Sequence, residues 1–241
     1  MSVLGGAPAG GLAVLIDPAR TSHAAAATLA QRAADEGARL LLIGNSFGDP
    51  RDVAPLASVV KEAASHVPLL QFPATAAELS AEVDAILFLS LVSGRNGQYL
   101  IEEHVRAVPF LERHPEIEVI STAYCLVDGG CVTSVEAVSQ TRPLPADKPE
   151  MIAAHVRAAA LIGMRATYLD AGSGAARPVA PALVAAARRV APGPLFVGGG
   201  VRGPDGVRAA REAGADYVVV GREFERSGAR AVRDLALAAR A

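Results

Sequence analysis

Two side chains with oxygen atoms follow the first two predicted strands at a spacing that would let them share a metal ion. Asp17 comes directly after strand residue Ile16, and Ser46 follows the second strand. Mg²⁺ takes oxygen ligands and few of them from the protein, so a carboxylate and a hydroxyl on neighbouring strands suit an ion shared with substrate phosphates. The pair therefore predicts a metal site at Asp17 and Ser46. For Asp17, capping of the first helix is the structural alternative.

Three later strands each end in a turn that contains glycine, which is typical of a phosphate site. The turn after Asp170 runs from Ala171 to Gly174, the next is Gly198-Gly199-Gly200, and the last is Gly221-Arg222. Glycine lets the backbone approach an anion closely, and the helix that follows begins with unpaired N–H groups that favour negative charge. After the last strands of a parallel barrel, such turns predict phosphate binding.

A third group of polar residues follows the fourth predicted strand. In Ser93-Gly94-Arg95-Asn96, an arginine and an amide suit a diphosphate, although a turn with a surface arginine has the same pattern.

Tyr124 falls in a predicted long loop, residues 123–148, that would cover the site, because long loops in compact domains are usually functional. Gly44 to Gly48 also fits a serine nucleophile elbow, but Gly48-Asp49-Pro50 breaks the chain where an elbow requires a helix.

Eight short apolar runs alternate with alanine-rich helical stretches, and this alternation places the polar residues at strand ends. The length of 241 residues is close to the roughly 250 of a (β/α)8 barrel. We predict an α/β fold with one TIM-barrel domain over residues 1–241, with an open doubly wound sheet as the alternative. The third helical region, Pro73 to Val83, is weakly patterned and predicts irregular structure. The predicted strands are Leu12–Ile16, Leu40–Ile43, Pro68–Phe72, Ala85–Leu89, Glu118–Thr122, Thr167–Asp170, Leu195–Gly198 and Tyr217–Val220.

Composition argues against several classes of function. Hydrophobic residues make up 51% and charged residues 20% of the chain, which indicates a folded protein. A net charge of −2 gives no long-range attraction to nucleic acid or acidic membranes, and the absence of Trp argues against base stacking. No apolar run reaches the ~20 residues of a membrane span, and no signal peptide is indicated. Cys125 and Cys131 fit no common zinc spacing, so a reducing cytoplasm is the expected location.

In their order and spacing, these motifs resemble the geranylgeranylglyceryl phosphate synthase family, including its heptaprenylglyceryl phosphate synthase branch. The resemblance covers nearly the whole chain. It implies a TIM barrel that joins a polyprenyl diphosphate, geranylgeranyl diphosphate first, to sn-glycerol 1-phosphate as an ether and releases diphosphate with Mg²⁺. The matching segments are Leu15-Ile16-Asp17-Pro18, Gly44-Asn45-Ser46, Phe88–Asn96, Ser121–Tyr124, Arg142–Glu150, Tyr168–Ala175 and Gly198–Arg202.

The resemblance also implies roles for individual residues. Its metal ligands match Asp17 and Ser46, and its third helix is replaced by looser structure beside a groove for the prenyl tail. Asp170 is the predicted catalytic residue, which orients the attacking glycerol hydroxyl and accepts its proton. The predicted glycerol phosphate ligands are Tyr168, Leu169, Asp170, Ala171, Gly172, Ser173, Gly174, Gly199, Gly200, Gly221 and Arg222.

A packed barrel interior leaves only a surface groove for an apolar tail. We expect Ala76 or Ala81 to line it, so that bulk at either position shortens the longest accepted chain. A groove of this kind exposes apolar surface, which favours a homo-oligomer, with a dimer first. Two other functions stay open. One is a sugar-phosphate isomerase or lyase in the same barrel, and the other is a non-catalytic phosphate-binding relative, suggested by Arg222 where the family often has asparagine.

Overall fold

Eight parallel strands form a closed barrel in the computed structural model, which describes residues 3–4, 10–221 and 229–240. Each strand pairs with the next in sequence, and the last pairs with the first, with Gly11 opposite Tyr217. The predicted TIM barrel is confirmed, and the open sheet is excluded because the sheet closes on itself. The strands are β1 (Gly11–Ile16), β2 (Leu40–Ile43), β3 (Leu69–Gln71), β4 (Ala85–Leu91), β5 (Glu118–Leu126), β6 (Ala166–Asp170), β7 (Leu195–Gly198) and β8 (Tyr217–Val220).

Helices surround the barrel, and several begin at residues that favour a helix start. The Ser22 hydroxyl accepts a hydrogen bond from Ala25 N at 3.4 Å and caps the first helix. Prolines occupy the first turns of the fifth and sixth helices, where the missing N–H is not needed. The helices are α1 (His23–Asp35), α2 (Val53–Ala63), α3 (Glu103–Arg113), α4 (Ser134–Ser139), α5 (Pro149–Leu161), α6 (Pro181–Arg188), α7 (Gly203–Glu212) and α8 (Ala229–Ala238).

The connection between β3 and β4 contains no α-helix, which confirms the predicted irregular third helical region. Its only helical piece is the 3₁₀ turn Ala76–Glu78. Side-chain bonds to the main chain hold this segment in place of a regular helical ladder. The buried Gln71 side chain donates to Glu78 O at 2.6 Å and accepts from Ser80 N at 3.0 Å. The conformation of this segment is therefore set by local side-chain hydrogen bonds and not by the packing of a helix.

Apolar side chains point to both faces of the strands, as expected for a parallel barrel covered by helices. In β2, Leu40 and Leu42 belong to the barrel interior, whereas Leu41 and Ile43 pack in the layer between strands and helices. Aromatic rings fill much of the interior and contact one another in a continuous series. That series consists of Phe72, Tyr124, Tyr168, Phe196 and Tyr217.

Strand β5 is longer than the sequence predicts, and this changes the position of Tyr124. The strand continues past Thr122 to Leu126 because residues 122–126 pair with β6. The predicted loop over residues 123–148 is therefore wrong in its first part, and α4 interrupts the remainder. Tyr124 belongs to the barrel interior instead of covering the site. The predicted strand ends at Thr122 because the next residue, Ala123, has little preference for β-structure.

Two further predictions concern the chain as a whole. Within the ranges that the structure describes, no helix is both long and apolar enough to cross a bilayer. The prediction of a single domain over residues 1–241 includes residues outside those ranges and stays a prediction.

Candidate active site

A polar cavity opens at the carboxyl ends of the strands. It collects residues from β1, β2, β6, β7 and β8 and from the turns that follow them. The three glycine turns meet here because β6, β7 and β8 are neighbours in the barrel. Residues that line this polar cavity include Asp17, Arg20, Asn45, Ser46, Tyr168, Asp170, Ser173, Gly174, Gly199, Gly200, Arg202 and Gly221.

The glycine turns after β6 and β7 leave no room for side chains at Gly172 and Gly199. Gly199 has φ +77°, and a Cβ atom there would lie 2.5 Å from both Asp170 Oδ1 and Gly172 N. Gly172 has φ +88°, and its Cβ would meet the Thr133 side chain at 2.6 Å. Glycine alone adopts such angles without strain and allows this approach. The turns therefore present main chain to the cavity, which suits an anion.

Asp170 combines burial with two hydrogen bonds. Its side chain is 8% exposed, Tyr124 Oη donates to Oδ2 at 2.6 Å, and Gly172 N donates to Oδ1 at 2.7 Å. Burial raises the pKa of Asp170 above its usual value, while these two bonds act in the opposite direction. Burial and the Asp170 charge raise the pKa of Tyr124 well above its usual value, so this phenol remains a donor. A carboxylate with a raised pKa is a better proton acceptor.

Asp17 does not cap the first helix, since that position belongs to Ser22. Its Oδ1 accepts a hydrogen bond from Ala19 N at 2.9 Å, and its Oδ2 pairs with Arg20 Nε at 3.0 Å. These contacts fix the orientation of the carboxylate at the edge of the polar cavity. The structural alternative for Asp17 is therefore excluded, and its carboxylate lines a cavity that also contains Ser46.

Asn45 brings a third oxygen atom to the same end of the polar cavity. It precedes Ser46 at the end of β2 and is 8% exposed. Its Oδ1 is buried and has no hydrogen-bond partner among the residues that the structure describes. A buried polar atom without a partner is costly, so a native structure normally satisfies it with water, an ion or a ligand.

An apolar groove lies beside the polar cavity. Its two walls are the segment Pro73–Leu79 and the helix formed by the π-helical turn Gln98–Glu102 with α3. Ala76 lines the groove as predicted, whereas Ala81 is exposed and does not line it, so the prediction for Ala81 is wrong. The groove residues include Phe72, Pro73, Ala74, Ala76, Leu79, Phe88, Leu89, Leu91, Tyr99, Glu103, His104, Ala107, Tyr124, Val135 and Val138.

The polar cavity and the apolar groove share part of their lining. Asn45, Ser46 and Phe72 border both of them. A molecule with a charged head and an apolar tail could therefore lie across this boundary, with the head near Asp17 and the tail along the groove. In this arrangement, the carbon that joins the tail to its charged head lies close to a molecule bound at the glycine turns.

Some predicted site residues line neither cavity. Arg95 Nη1 donates to Gly94 O at 2.6 Å, and Asn96 Nδ2 donates to Ser139 O at 3.0 Å. Asn96 thereby ties the turn after β4 to the end of α4. Their binding to a diphosphate stays a prediction, and it requires the Arg95 side chain to rotate toward the site.

Two other predicted ligands have no side chain at the polar cavity, and a third falls outside the described part. Leu169 and Ala171 are buried in the layer between strands and helices, so their side chains face away from the polar cavity. Arg222 lies outside the described residues. The serine nucleophile elbow is excluded because the next helical turn after Ser46 begins only at Pro50.

Sequence reasoning assigned no role to three residues that line the polar cavity: Arg20, Asn45 and Arg202. Asn45 stands between Gly44 and Ser46 directly after a strand, so it carries the same signal as the amide of Asn96 after β4. Arg20 and Arg202 each follow a strand end by four residues, and only the barrel places them at the cavity.

The fold is a (β/α)8 barrel, and the turns after its last three strands border a cavity whose main chain suits an anion. A family comparison gives the same class in finer detail, because residues 12–239 match the model of the PcrB family. The chain belongs to the PcrB family.

Comparisons with individual proteins and with a crystal structure agree with this family. The chain is 40% identical over 213 residues to the geranylgeranylglyceryl phosphate synthase of Spirosoma linguale, covering 88% of this chain and 85% of that protein. It is 39% identical over 215 residues to the enzyme of the same name from Korarchaeum cryptofilum, covering 89% and 87%. The crystal structure of (S)-3-O-geranylgeranylglyceryl phosphate synthase from Thermoplasma acidophilum, in complex with its substrate sn-glycerol-1-phosphate, superimposes with a TM-score of 0.88 at 28% identity, covering 96% and 93% of the chains.

Proposed function

We propose that this protein is a prenyltransferase that joins a polyprenyl diphosphate to sn-glycerol 1-phosphate. Geranylgeranyl diphosphate is the leading candidate for the polyprenyl diphosphate. The observation that supports it most directly is the shared border of the polar cavity and the apolar groove. An acceptor phosphate suits the glycine turns, and an isoprenoid tail suits the groove. The named relatives are geranylgeranylglyceryl phosphate synthases, and the Thermoplasma acidophilum enzyme binds sn-glycerol-1-phosphate.

In the proposed reaction, the main chain at Gly174, Gly199 and Gly221 holds the glycerol phosphate. This turns a reaction of two free molecules into one with a fixed orientation. The free primary hydroxyl of glycerol attacks the allylic carbon, a carbon–oxygen bond forms, and the bond to diphosphate breaks. Asp170 accepts the hydroxyl proton, and Tyr124 and Gly172 hold its carboxylate in position during this step.

A divalent cation fits the donor set at the opposite side of the polar cavity. Asp17 and Ser46 would hold Mg²⁺, and the unpartnered Oδ1 of Asn45 is a further oxygen within the same cavity. When bound there, Mg²⁺ neutralises charge on the leaving diphosphate. Asp17 is already oriented by Ala19 N, and the Arg20 side chain would have to release Oδ2 for that oxygen to bind the ion.

The two alternatives differ from this proposal in what they need from the cavity. A sugar-phosphate isomerase or lyase commonly uses a lysine or histidine, and neither type lines the polar cavity in the described part of the chain. A small sugar phosphate also has no use for an apolar groove. The non-catalytic alternative rests on Arg222 alone, which lies outside the described residues.

One assay separates the three functions when it is run beside incubations with sugar phosphates and a calorimetric titration with glycerol phosphate. Purified protein is incubated with Mg²⁺, geranylgeranyl diphosphate and either enantiomer of glycerol phosphate, and diphosphate release is measured with extraction of the lipid product. We expect an ether product from sn-glycerol 1-phosphate and little from its enantiomer. Binding of glycerol phosphate without turnover of any prenyl diphosphate would favour the non-catalytic relative. Consumption of a sugar phosphate would favour the isomerase or lyase.

We also propose that the protein forms a homo-oligomer, for which a dimer is the leading candidate. We propose a reducing cytoplasm as its location. Ile101, Val105 and Val108 are exposed on one side of the helix that borders the groove, which is consistent with a covered surface. Cys125 and Cys131 are both free thiols, as expected in a reducing compartment. Light scattering on the purified protein, alone and with Val105→Glu, tests the assembly. A monomer at micromolar concentration contradicts it.

A further inference from the structure

The two walls of the apolar groove are held together in an unusual way. In a regular barrel, a helix after β3 would pack against its neighbours through an apolar stripe. Here the first wall is the segment Pro73–Leu79, whose single 3₁₀ turn is closed by bonds of 3.3 Å from Glu78 N and 3.4 Å from Leu79 N. Bonds of this length are weak, so the position of this segment depends on side chains. Gln71 donates to Glu78 O and Glu78 Oε2 accepts from Ala74 N at 2.9 Å, both within the same connection, and a further contact comes from the opposite wall.

A carboxylate from the second wall supplies such a contact. Glu103 Oε2 accepts a hydrogen bond from Ala76 N at 2.8 Å. Glu103 belongs to α3 and Ala76 belongs to the opposite wall, and both residues line the groove. The bond therefore joins one wall to the other. It is charge-assisted, which makes it about twice as strong as a bond between neutral groups.

The other oxygen of the same carboxylate is fixed by its own helix. Glu103 Oε1 accepts from Gln98 Nε2 and from Arg106 Nη1, each at 2.9 Å. The Glu103 side chain is only 12% exposed, so water competes little for these bonds. A carboxylate with both oxygens engaged from two directions is a rigid connection rather than a passing surface contact.

The π-helical turn Gln98–Glu102 helps to place this carboxylate in the groove. Such turns are rare in proteins overall, but those that occur are often found at functional sites. Around it, Tyr99, Glu103 and His104 line the groove, while Ile101 and Glu102 are exposed. Ser90 Oγ donates to Leu100 O at 2.8 Å and supports the widened turn. The chain thus presents an acidic residue to a largely apolar channel, where burial of an aliphatic side chain would cost less free energy.

We propose that Glu103 is a latch that fixes the separation of the two groove walls and so determines which prenyl tails the protein accepts. The proposal rests on the proposed function, in which this groove receives the tail. A short tail lies between the shared border at Asn45 and the latch and does not reach it. A longer tail has to pass the level of the Ala76–Glu103 bond, where the closed walls resist it.

The test compares chain-length profiles of wild type, Glu103→Ala and Glu103→Gln, with Glu102→Ala as the matched control. Glu102 neighbours Glu103 and reaches Arg106 at 3.6 Å, but it is exposed and does not line the groove. For each variant, kcat/KM is measured with diphosphates of two, four and seven isoprene units at saturating sn-glycerol 1-phosphate. Hydrogen exchange at the Ala76 amide reports whether the bond is lost.

In Glu103→Ala we expect the ratio of kcat/KM for the seven-unit tail to that for the two-unit tail to rise about tenfold, the equivalent of one charge-assisted hydrogen bond. Exchange at the Ala76 amide should become faster. Glu103→Gln retains an acceptor for Ala76 N, but its amide nitrogen cannot accept from Gln98 and Arg106, so its profile should lie between wild type and Glu103→Ala. Glu102→Ala should match wild type in both measurements.

Retained activity with the two-unit tail shows that a variant is folded, and thermal melting of each variant checks this separately. Faster exchange at Ala76 together with an unchanged chain-length profile overturns the latch while leaving the prenyltransferase function intact. A uniform loss of activity with all three tails also overturns it. If wild type transfers no prenyl group at all, the proposed function fails, and the inference fails with it.

Discussion

The polar cavity and the apolar groove meet at one end of the same barrel, but they are built from different kinds of structure. One side of the polar cavity is formed by glycine turns at the ends of β6, β7 and β8, which pair with one another in the barrel. The two walls of the groove are side chains on Pro73–Leu79 and on the helix that contains α3, with further side chains from α4, and no strand pairing holds these segments. Strand residues of β4 and β5 also line the groove, namely Phe88, Leu89, Leu91 and Tyr124. Positions at strand ends are rigid, whereas positions on such connections can vary without loss of the fold.

This difference separates two tasks. Recognition of a small phosphate needs a few fixed N–H groups, and glycine turns supply them at the cost of any tolerance to substitution. Recognition of an apolar tail needs matching volume, which many combinations of side chains provide. Changes in the polar cavity should therefore reduce the rate or the binding of acceptor for every tail. Changes in the groove should alter the choice of tail.

The largest effect is expected at Asp170. The change Asp170→Asn removes the proposed proton acceptor and should lower kcat by about 10² to 10⁴ with every prenyl diphosphate. Binding of sn-glycerol 1-phosphate, measured by calorimetry, should persist because main-chain groups hold the phosphate. Asp147→Asn, at an exposed carboxylate, is the control. Near-normal turnover in Asp170→Asn would remove this residue from the mechanism.

A somewhat smaller loss is expected at the proposed metal site. Asp17→Ala should lower the rate by on the order of 10², because the charge of the leaving diphosphate is then poorly neutralised. Affinity for sn-glycerol 1-phosphate should change little, since its phosphate lies on the other side of the cavity. Asp49→Ala changes an exposed carboxylate that pairs with Arg51 and serves as control. Mn²⁺ binding that is equal in wild type and Asp17→Ala would contradict the metal assignment.

The glycine turns offer a test of the main-chain half of the comparison. Gly199→Ala places a methyl group 2.5 Å from Asp170 Oδ1 at a positive φ, so the turn must shift. We expect KM for sn-glycerol 1-phosphate to rise about 10-fold or more, as for the loss of one hydrogen bond to a charged group. Gly206→Ala in α7 is the matched control, since its nearest atom is 3.5 Å away. Equal KM values in both variants would show that the turn does not hold the phosphate.

The groove should respond differently. Ala76→Phe adds bulk inside it and should lower kcat/KM for long tails about tenfold while sparing short ones, given about 0.8 kcal/mol for each CH₂ that can no longer be buried. Ala81 is exposed and lies away from the groove, so Ala81→Phe is the control. A variant series in which all chain lengths are handled alike would place the tail elsewhere.

The smallest expected effect concerns pH. The Tyr124 hydroxyl lowers the pKa of Asp170, whose pKa is raised overall by burial. Tyr124→Phe removes this bond, so the pKa of Asp170 should rise further. Because the base works in its ionised form, the acid limb of the kcat profile should move to higher pH, and the rate should recover at alkaline pH. A limb that stays in place, or moves to lower pH, would show that Asp170 is not the titrating base.

Much of the fold was predictable because its signals are local. The eight strands, the glycine turns and the weak region after β3 are each readable from a few adjacent residues. The errors arose where contacts between distant residues decide the outcome. Strand β5 continues to Leu126 because β6 pairs with it, and Ala81 faces solvent because Gln71 and Glu78 turn the chain before it.

The sequence by itself determined the order of elements and the chemical type of the residues at strand ends, because apolar periodicity and glycine act over short distances. Tertiary structure alone decided which of them meet. Closure of the barrel brings Asp17 beside the turns of β6 to β8, puts Tyr124 against Asp170, and joins Ala76 to Glu103 across the groove. Such pairings depend on strand register and on side-chain packing between distant segments, which no local sequence pattern records. Tyr124 and Asp170 are 46 residues apart in the chain, and Ala76 and Glu103 are 27 residues apart.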